Sequence, residues 1–257
     1  MTNIYLPTIA KRGSNEKLVF FSFILRNMPG MIAKIAKVFF ENNINILYGV
    51  HSVNKNLGYW IFLADVTNIK KPLEHVVGEL RNIKGVLEVN YGINNVGNMV
   101  INPYSFTIVL SYGIGKASVF PVNVLKKAFK DLKSKWGIAA SVFLYHIGYY
   151  MGNVLGTMFK NEKFEPENIL KASLEYLKSL GFFGSYNIKI FSPINRIATV
   201  KIYDSIECTN LVSSKPASHF LRGVFGGIFS TIFKKEVTVY ETKCVAKGDR
   251  YCEFENR

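Results

Sequence analysis

The residues best equipped for chemistry in this 257-residue chain are its three cysteines. Cys244 and Cys252 lie in the run Glu241-Thr-Lys-Cys244-Val-Ala-Lys-Gly248-Asp249-Arg-Tyr-Cys252-Glu-Phe254, and Cys208 follows an earlier strand-like stretch. A tight turn over Lys247 to Arg250, flanked by strand-favouring residues, is expected to set Cys244 and Cys252 opposite each other on paired strands. Three thiolates and the Glu241 carboxylate would fill a tetrahedral zinc shell. One objection is geometric. Glu241 is three positions before Cys244, so a regular strand points the two to opposite faces, and only a bulge or twist brings them together. The spacing is equally met by a cross-strand cysteine pair that is buried, or disulfide-bonded as in thermophile proteins.

Other reactive groups form no constellation. His51, His75, His146 and His219 are scattered. Gly113-Ile-Gly115-Lys116 begins like a phosphate loop, but Ala117 stands where Ser or Thr is needed and the glycine spacing is wrong. The expectation is a protein that is not an enzyme. The formal charge of +14 is diffuse along the chain. Such a surface suits nucleic acid or an anionic membrane, yet no basic arm or aromatic RNA-binding signature accompanies it, and a lysine-rich solvated exterior is the plainer reading. An odd number of cysteines and no recognisable export signal favour a metal site over a disulfide framework, and a cytoplasmic protein.

The elements that must position these groups fall into two sets. Residues 1–14 are polar and Pro/Gly-bearing, and read as a loose tail. Residues 15–95 read as a unit in which Leu18–Leu25 is a buried strand, Asn27-Met28-Pro29-Gly30 a break, and Met31–Glu41 a helix with an apolar face. Ile44–Val53 and Leu57–Val66 follow as strands joined through Asn54-Lys-Asn56, then a helix over Pro72–Ile83 and a strand over Val86–Tyr91. The order β-α-β-β-α-β is the ferredoxin-like plan.

This unit resembles an ACT domain, through that order, the Asn27-x-Pro29-Gly30 turn and the Asn45-Ile46 entry to the second strand. The resemblance implies side-by-side pairing of sheets, hence a homodimer. It also implies an amino acid bound at Asn27, Pro29, Gly30, Met31, Asn45 and Ile46.

The Gly/Asn-rich stretch leading through residues 96–102 reads as a linker, and residues 103–257 as a second domain. Its expected elements are a strand over Tyr104–Tyr112, helices over 121–136, 138–159 and 165–179, strands around Pro193, a helix over 217–233, and the terminal hairpin. Gly137 to Phe159 carries no formal charge and is long enough to cross a bilayer, where about 20 apolar residues suffice. Ser141, His146, Asn153 and Thr157 interrupt it, so a buried helix without a membrane span is expected. Gly148, Gly152 and Gly156 form a smooth strip on which another backbone can approach closely. A second strip carries His146, Tyr150 and Asn153; with Trp136, Phe182 and Phe183 as aromatic walls, it is expected to line a small-molecule pocket.

The C-terminal part resembles a 4-vinyl reductase domain. The signature is Glu241-x-x-Cys244, seven residues, Cys252, with Gly248-Asp249 before the last cysteine and Phe254 after it; the His219-Phe-Leu-Arg-Gly223-Val-Phe-Gly226-Gly227 run fits too. The resemblance implies a structural zinc on Glu241, Cys244 and Cys252, with Cys208 as fourth ligand, and a hydrophobic or aromatic ligand. With four protein ligands, no position is left to activate water. The fold expected is therefore α+β: a ferredoxin-like βαββαβ (ACT) domain, then a mixed α/β domain with an antiparallel sheet and packed helices. The function expected is a small-molecule-sensing regulatory protein acting through a protein partner. The alternatives are a reductase or accessory acting on a vinyl-bearing ring, and a DNA-associated regulator.

Overall fold

The structure is a computed structural model that describes residues 5–110 and 115–256. The chain divides into two units, residues 1–107 and 108–257. The first runs β1 (Ile9–Lys11), β2 (Leu18–Arg26), α1 (Met31–Glu41), β3 (Asn45–Asn54), β4 (Leu57–Asp65), α2 (Leu73–Arg81), β5 (Val86–Gly92), β6 (Asn94–Val96) and β7 (Met99–Ile101). Strands β2 to β5 form one antiparallel sheet in the order β3-β4-β2-β5. The continuous apolar run of β2 has a simple cause: both of its faces are covered. Val19, Phe21, Phe23 and Leu25 pack in a core with Ile35 and Phe39 of α1 and with Val76 and Leu80 of α2. Leu18 and Phe20 point the other way, onto Leu63 and Val100.

That second face overturns the reading of residues 1–14 as a loose tail and of 96–102 as a linker. β1 pairs with β7, and β7 pairs with β6. Gly97 sits in the connecting two-residue turn at φ 60°, where a hairpin favours glycine or asparagine. The Gly-Asn composition marks a hairpin that supplies Val100 to the core, not a spacer.

The second unit runs β8 (Ile108–Leu110), β9 (Gly115–Ala117), α3 (Val122–Trp136), α4 (Ile138–Asn161), α5 (Pro166–Ser179), β10 (Ser185–Ser192), β11 (Ile197–Tyr203), α6 (His219–Phe233), β12 (Val239–Lys243) and β13 (Cys252–Asn256). The strand expected over Tyr104–Tyr112 is confined to β8, which pairs with β9. Ser111 and Tyr112 lie outside the described residues, as do Gly113 and Ile114 of the phosphate-loop-like motif. The main sheet is antiparallel, in the order β10-β11-β13-β12. Ile169, Leu170, Leu174 and Leu177 of α5 and most of α6 bury their side chains in its core.

Helices α4 and α6 are in backbone contact. A Cβ on Gly148 would stand 2.0 Å from the carbonyl oxygen of Phe220, and one on Gly152 2.0 Å from that of Val224. Reciprocally, a Cβ on Gly223 would meet the Tyr145 carbonyl oxygen at 2.0 Å, and one on Gly227 that of Tyr149 at 2.1 Å. Two glycine strips thus replace side-chain packing along this crossing. The same geometry corrects the expectation of a buried α4. Its glycines take the inner side, so Ile138, Val142, Phe143, Ile147 and Tyr150 face outward and are exposed. Among the described residues, no helix is long and apolar enough to cross a membrane.

Candidate metal centre and adjoining cavity

Local chain geometry brings Cys208, Glu241, Cys244 and Cys252 together. Glu241 pairs with Phe254 and Lys243 with the adjacent Glu253, so β12 carries one extra residue against β13. This bulge removes the geometric objection, because it lets Glu241 and Cys244 face the same side. The hairpin connection is wider than the tight turn expected over Lys247–Arg250. Val245–Lys247 forms a 3-10 turn, and Gly248 follows at φ 100°, in the left-handed region that suits glycine. Asp249 closes the loop, its Oδ2 accepting the Cys244 N–H at 2.8 Å. Cys252 opens β13, opposite Ile202 of β11. Cys208 lies in the turn after β11, and Leu211 donates its N–H to the Cys208 carbonyl.

One donor atom from each of the four residues lies within 4.8 Å of all the others. The three cysteines are fully buried free thiols and Glu241 is 9% exposed. Cys208 Sγ is 3.5 Å from Cys244 Sγ and 4.0 Å from Glu241 Oε1. Ligands arranged tetrahedrally around zinc at its usual bond lengths stand about 3.6–3.8 Å apart. The donor set, its spacing and its closure against solvent fit a structural metal ion.

Electrostatics point the same way. Burial, reinforced by Cys244, pushes the Glu241 carboxyl up to about 8. Hydrogen bonding with Cys208, then with Cys244, pushes the Cys252 thiol up, whereas hydrogen bonds from both neighbours lower that of Cys244. Four acidic groups share one buried space, and each opposes ionisation of the next. A divalent cation removes that opposition, which is how a metal site draws protons off its ligands.

Ser218 is a site residue that the sequence reading missed. It is 1% exposed, donates its N–H to Glu241 Oε2 at 2.9 Å and its hydroxyl to Oε1 at 2.8 Å, and lies 2.9 Å from Cys208 Sγ. A serine just before α6 signals a helix cap, but its side chain turns to the cluster and caps nothing. Glu207 caps α6 instead. Its two oxygens accept the N–H groups of Phe220 and Leu221 at 3.1 and 2.8 Å.

The pocket expected from Trp136, His146, Tyr150, Asn153, Phe182 and Phe183 does not form. Trp136 and Tyr150 are 61% and 75% exposed, His146 is exposed, and Phe183 is core. Asn153 donates to Thr231 Oγ1, and Phe182 stacks on Phe220. The cause is the orientation of α4, whose glycine strip claims the inward side. A cavity of about 840 Å³ lies elsewhere in this unit, between α3 and residues 207–219. Its signal in the sequence was the lysine spacing on α3, assigned above to a solvated face.

In the first unit, Asn27, Gly30 and Met31 line a cavity of about 450 Å³ together with Arg26 and His51. Pro29 does not line it. Asn45 and Ile46 are at the far end of the sheet: Asn45 is level with Asp65 and Leu18, whereas the turn follows Arg26, level with Leu57 and Asn54. A strand that returns through a crossover helix starts at the opposite end from the turn, so these two residues join no site with Asn27 within one chain.

Comparison with known proteins fits this arrangement. The chain is 32% identical over 130 residues to the uncharacterized protein MJ1642 of Methanocaldococcus jannaschii, a match covering 50% of this chain and 71% of that protein. The phenol-responsive sensory domain of the transcription activator PoxR, crystallised with phenol, superposes with a TM-score of 0.50 at 16% identity, over 56% of this chain and 77% of that one. The ACT domain from the GTP pyrophosphokinase of Chlorobium tepidum aligns over 30% of this chain and 97% of that one, at 19% identity and a TM-score of 0.26. The family model of the 4-vinyl reductase domain matches residues 198–257, a segment that contains all four clustered residues. The chain belongs to the family of the Methanocaldococcus jannaschii protein, and carries a 4-vinyl reductase domain at its C-terminal end.

Proposed function

We propose that this protein is a small-molecule-sensing regulatory module, with a structural zinc held by Cys208, Glu241, Cys244 and Cys252. The observation that carries the reading is the placement of residues 207–219. Cys208 and Ser218, near the ends of this segment, both meet Glu241, and the stretch between them walls the 840 Å³ cavity. A metal at the cluster fastens one wall of a cavity that is within the usual 300–1,000 Å³ range for ligand pockets. A bound molecule bears on the same wall, so occupancy and the position of the segment are linked. The phenol-responsive domain of similar fold supports a ligand role over a catalytic one.

The first unit is, in this proposal, a ferredoxin-like ACT module that associates with a second copy and takes an amino acid at Asn27, Gly30 and Met31. Output passes through a protein partner. The test is a thermal melt of the zinc-loaded full chain against phenols and amino acids, with native mass spectrometry counting metal and copies. One zinc per chain and a ligand-dependent rise in Tm support the reading. A folded chain that binds no zinc and responds to no compound abandons it.

A further inference from the structure

The 840 Å³ cavity has an unusual lining. Lys126, Lys127, Lys130 and Lys133 of α3 and Lys215 of the facing segment all border it. Glu207 is the one acidic residue among the lining residues. It cannot neutralise them: its side chain is 1% exposed, and both oxygens are committed to the N–H groups of Phe220 and Leu221. Lys133 approaches it only to 4.0 Å and spends a hydrogen bond on the Ala217 carbonyl. Lys126 is held by the Thr209 carbonyl. Lys127, Lys130 and Lys215 have no ion-pair partner among the described residues.

Lysines along an ordinary solvated helix cost little, but several around one concavity repel one another, and low-dielectric walls strengthen the field inside. His219, on the same wall, is held down to about 4, first by burial and then by the Lys133 charge. The remaining lining is apolar, with Phe129, Leu211 and Ala217. Helix α3 buries none of its residues completely, so its cavity-facing side chains are free to close on a guest.

Building on the ligand-sensing reading, we infer that this cavity selects an anionic small molecule. A carboxylate or phosphate group is met by Lys127, Lys130 and Lys215, and an apolar body lies against Phe129 and Leu211. Ammonium groups suit this task as mobile point charges that accept either head group. The class differs from a neutral phenol or hydrocarbon, for which five lysines do nothing.

The test uses the zinc-loaded full chain and three probes with one ring system: 2-naphthoate, 2-naphthyl phosphate and neutral 2-naphthol, titrated calorimetrically. At least one anionic probe is expected to bind ten-fold or more tighter than naphthol, and the preferred one identifies the head group. The preference should weaken as ionic strength rises. It should disappear in the Lys127→Gln, Lys130→Gln, Lys215→Gln triple variant and persist in the corresponding Lys→Arg variant. Naphthol binding as well as the anions, unaffected by the glutamines, overturns the anion assignment and leaves a neutral-ligand sensor standing. No binding of any probe by a folded, zinc-loaded chain overturns the assignment and counts against the cavity as a sensor site.

Discussion

Ser218 donates two hydrogen bonds to Glu241, one from its backbone N–H and one from its hydroxyl, each to a different carboxylate oxygen. The pair fixes the plane of a buried carboxylate that must also face three thiols. Outer partners of this kind set the orientation of a metal ligand and typically change affinity 10–100-fold when lost. Ser218→Ala is therefore expected to weaken zinc binding by roughly ten-fold or more, measured by competition with a chromogenic chelator. Ser218→Thr keeps the hydroxyl and should stay near wild type; equal loss in both variants would point to packing alone.

Removal of the metal should be felt by the second unit as a whole, since Cys208, Glu241 and Cys252 tie the turn after β11 to β12 and β13. A ligand present at about a thousand times its Kd stabilises by about 4 kcal/mol. For a domain of this size that corresponds to a fall of roughly 8–16 °C in Tm on chelation. Cys252→Ser should lose the zinc and melt as the chelated wild type does. An intact mass 2 Da below the reduced value, with no metal, would instead establish a Cys244–Cys252 disulfide.

Glu207 is a buried carboxylate with a structural task outside the metal shell. Replacement by alanine strands the Phe220 and Leu221 N–H groups at the start of α6, and a buried donor left unpaired costs about 1–3 kcal/mol. The expected result for Glu207→Ala is a loss of about 2 kcal/mol or more in chemical denaturation. Glu207→Gln retains a side-chain oxygen and should lose less than half as much. Zinc content should be unchanged in both.

The α4–α6 crossing makes opposite forecasts for two glycines in helices. Gly152→Ala gains about 1 kcal/mol in helix propensity, but the new Cβ would stand 2.0 Å from the Val224 carbonyl. Backbone cannot yield as a side-chain tip does, and overpacking of this kind costs about 1–3 kcal/mol or more, so the variant should be destabilised. Gly78 of α2 has nothing within 4 Å of an added Cβ. Gly78→Ala should therefore stabilise by about 0.5–1 kcal/mol. Melting curves of the two variants beside wild type decide the matter.

The sequence alone determined the local elements, because each is written in periodicity and in breaking residues. α1 is found at Met31–Glu41 as read, and the apolar stripe of α5 from Ile169 to Leu177 is buried as its spacing implied. The metal-type cluster was legible too, since few residue types ligate metals and only three cysteines exist. Even the need for a bulge followed from the three-residue interval between Glu241 and Cys244.

Tertiary structure decided what spacing cannot express. Ser218 joins Glu241 only because the chain folds back over 23 positions of sequence, and nothing local marks a serine as serving a distant carboxylate. The glycines of α4 predicted a close approach, but not that α6 would offer glycines in return, and that meeting turned Tyr150 and His146 outward and emptied the expected pocket. The lysines of α3 read as solvated because a helix viewed by itself has only an apolar and a polar side. Facing residues 207–219, that polar side became the wall of a cavity.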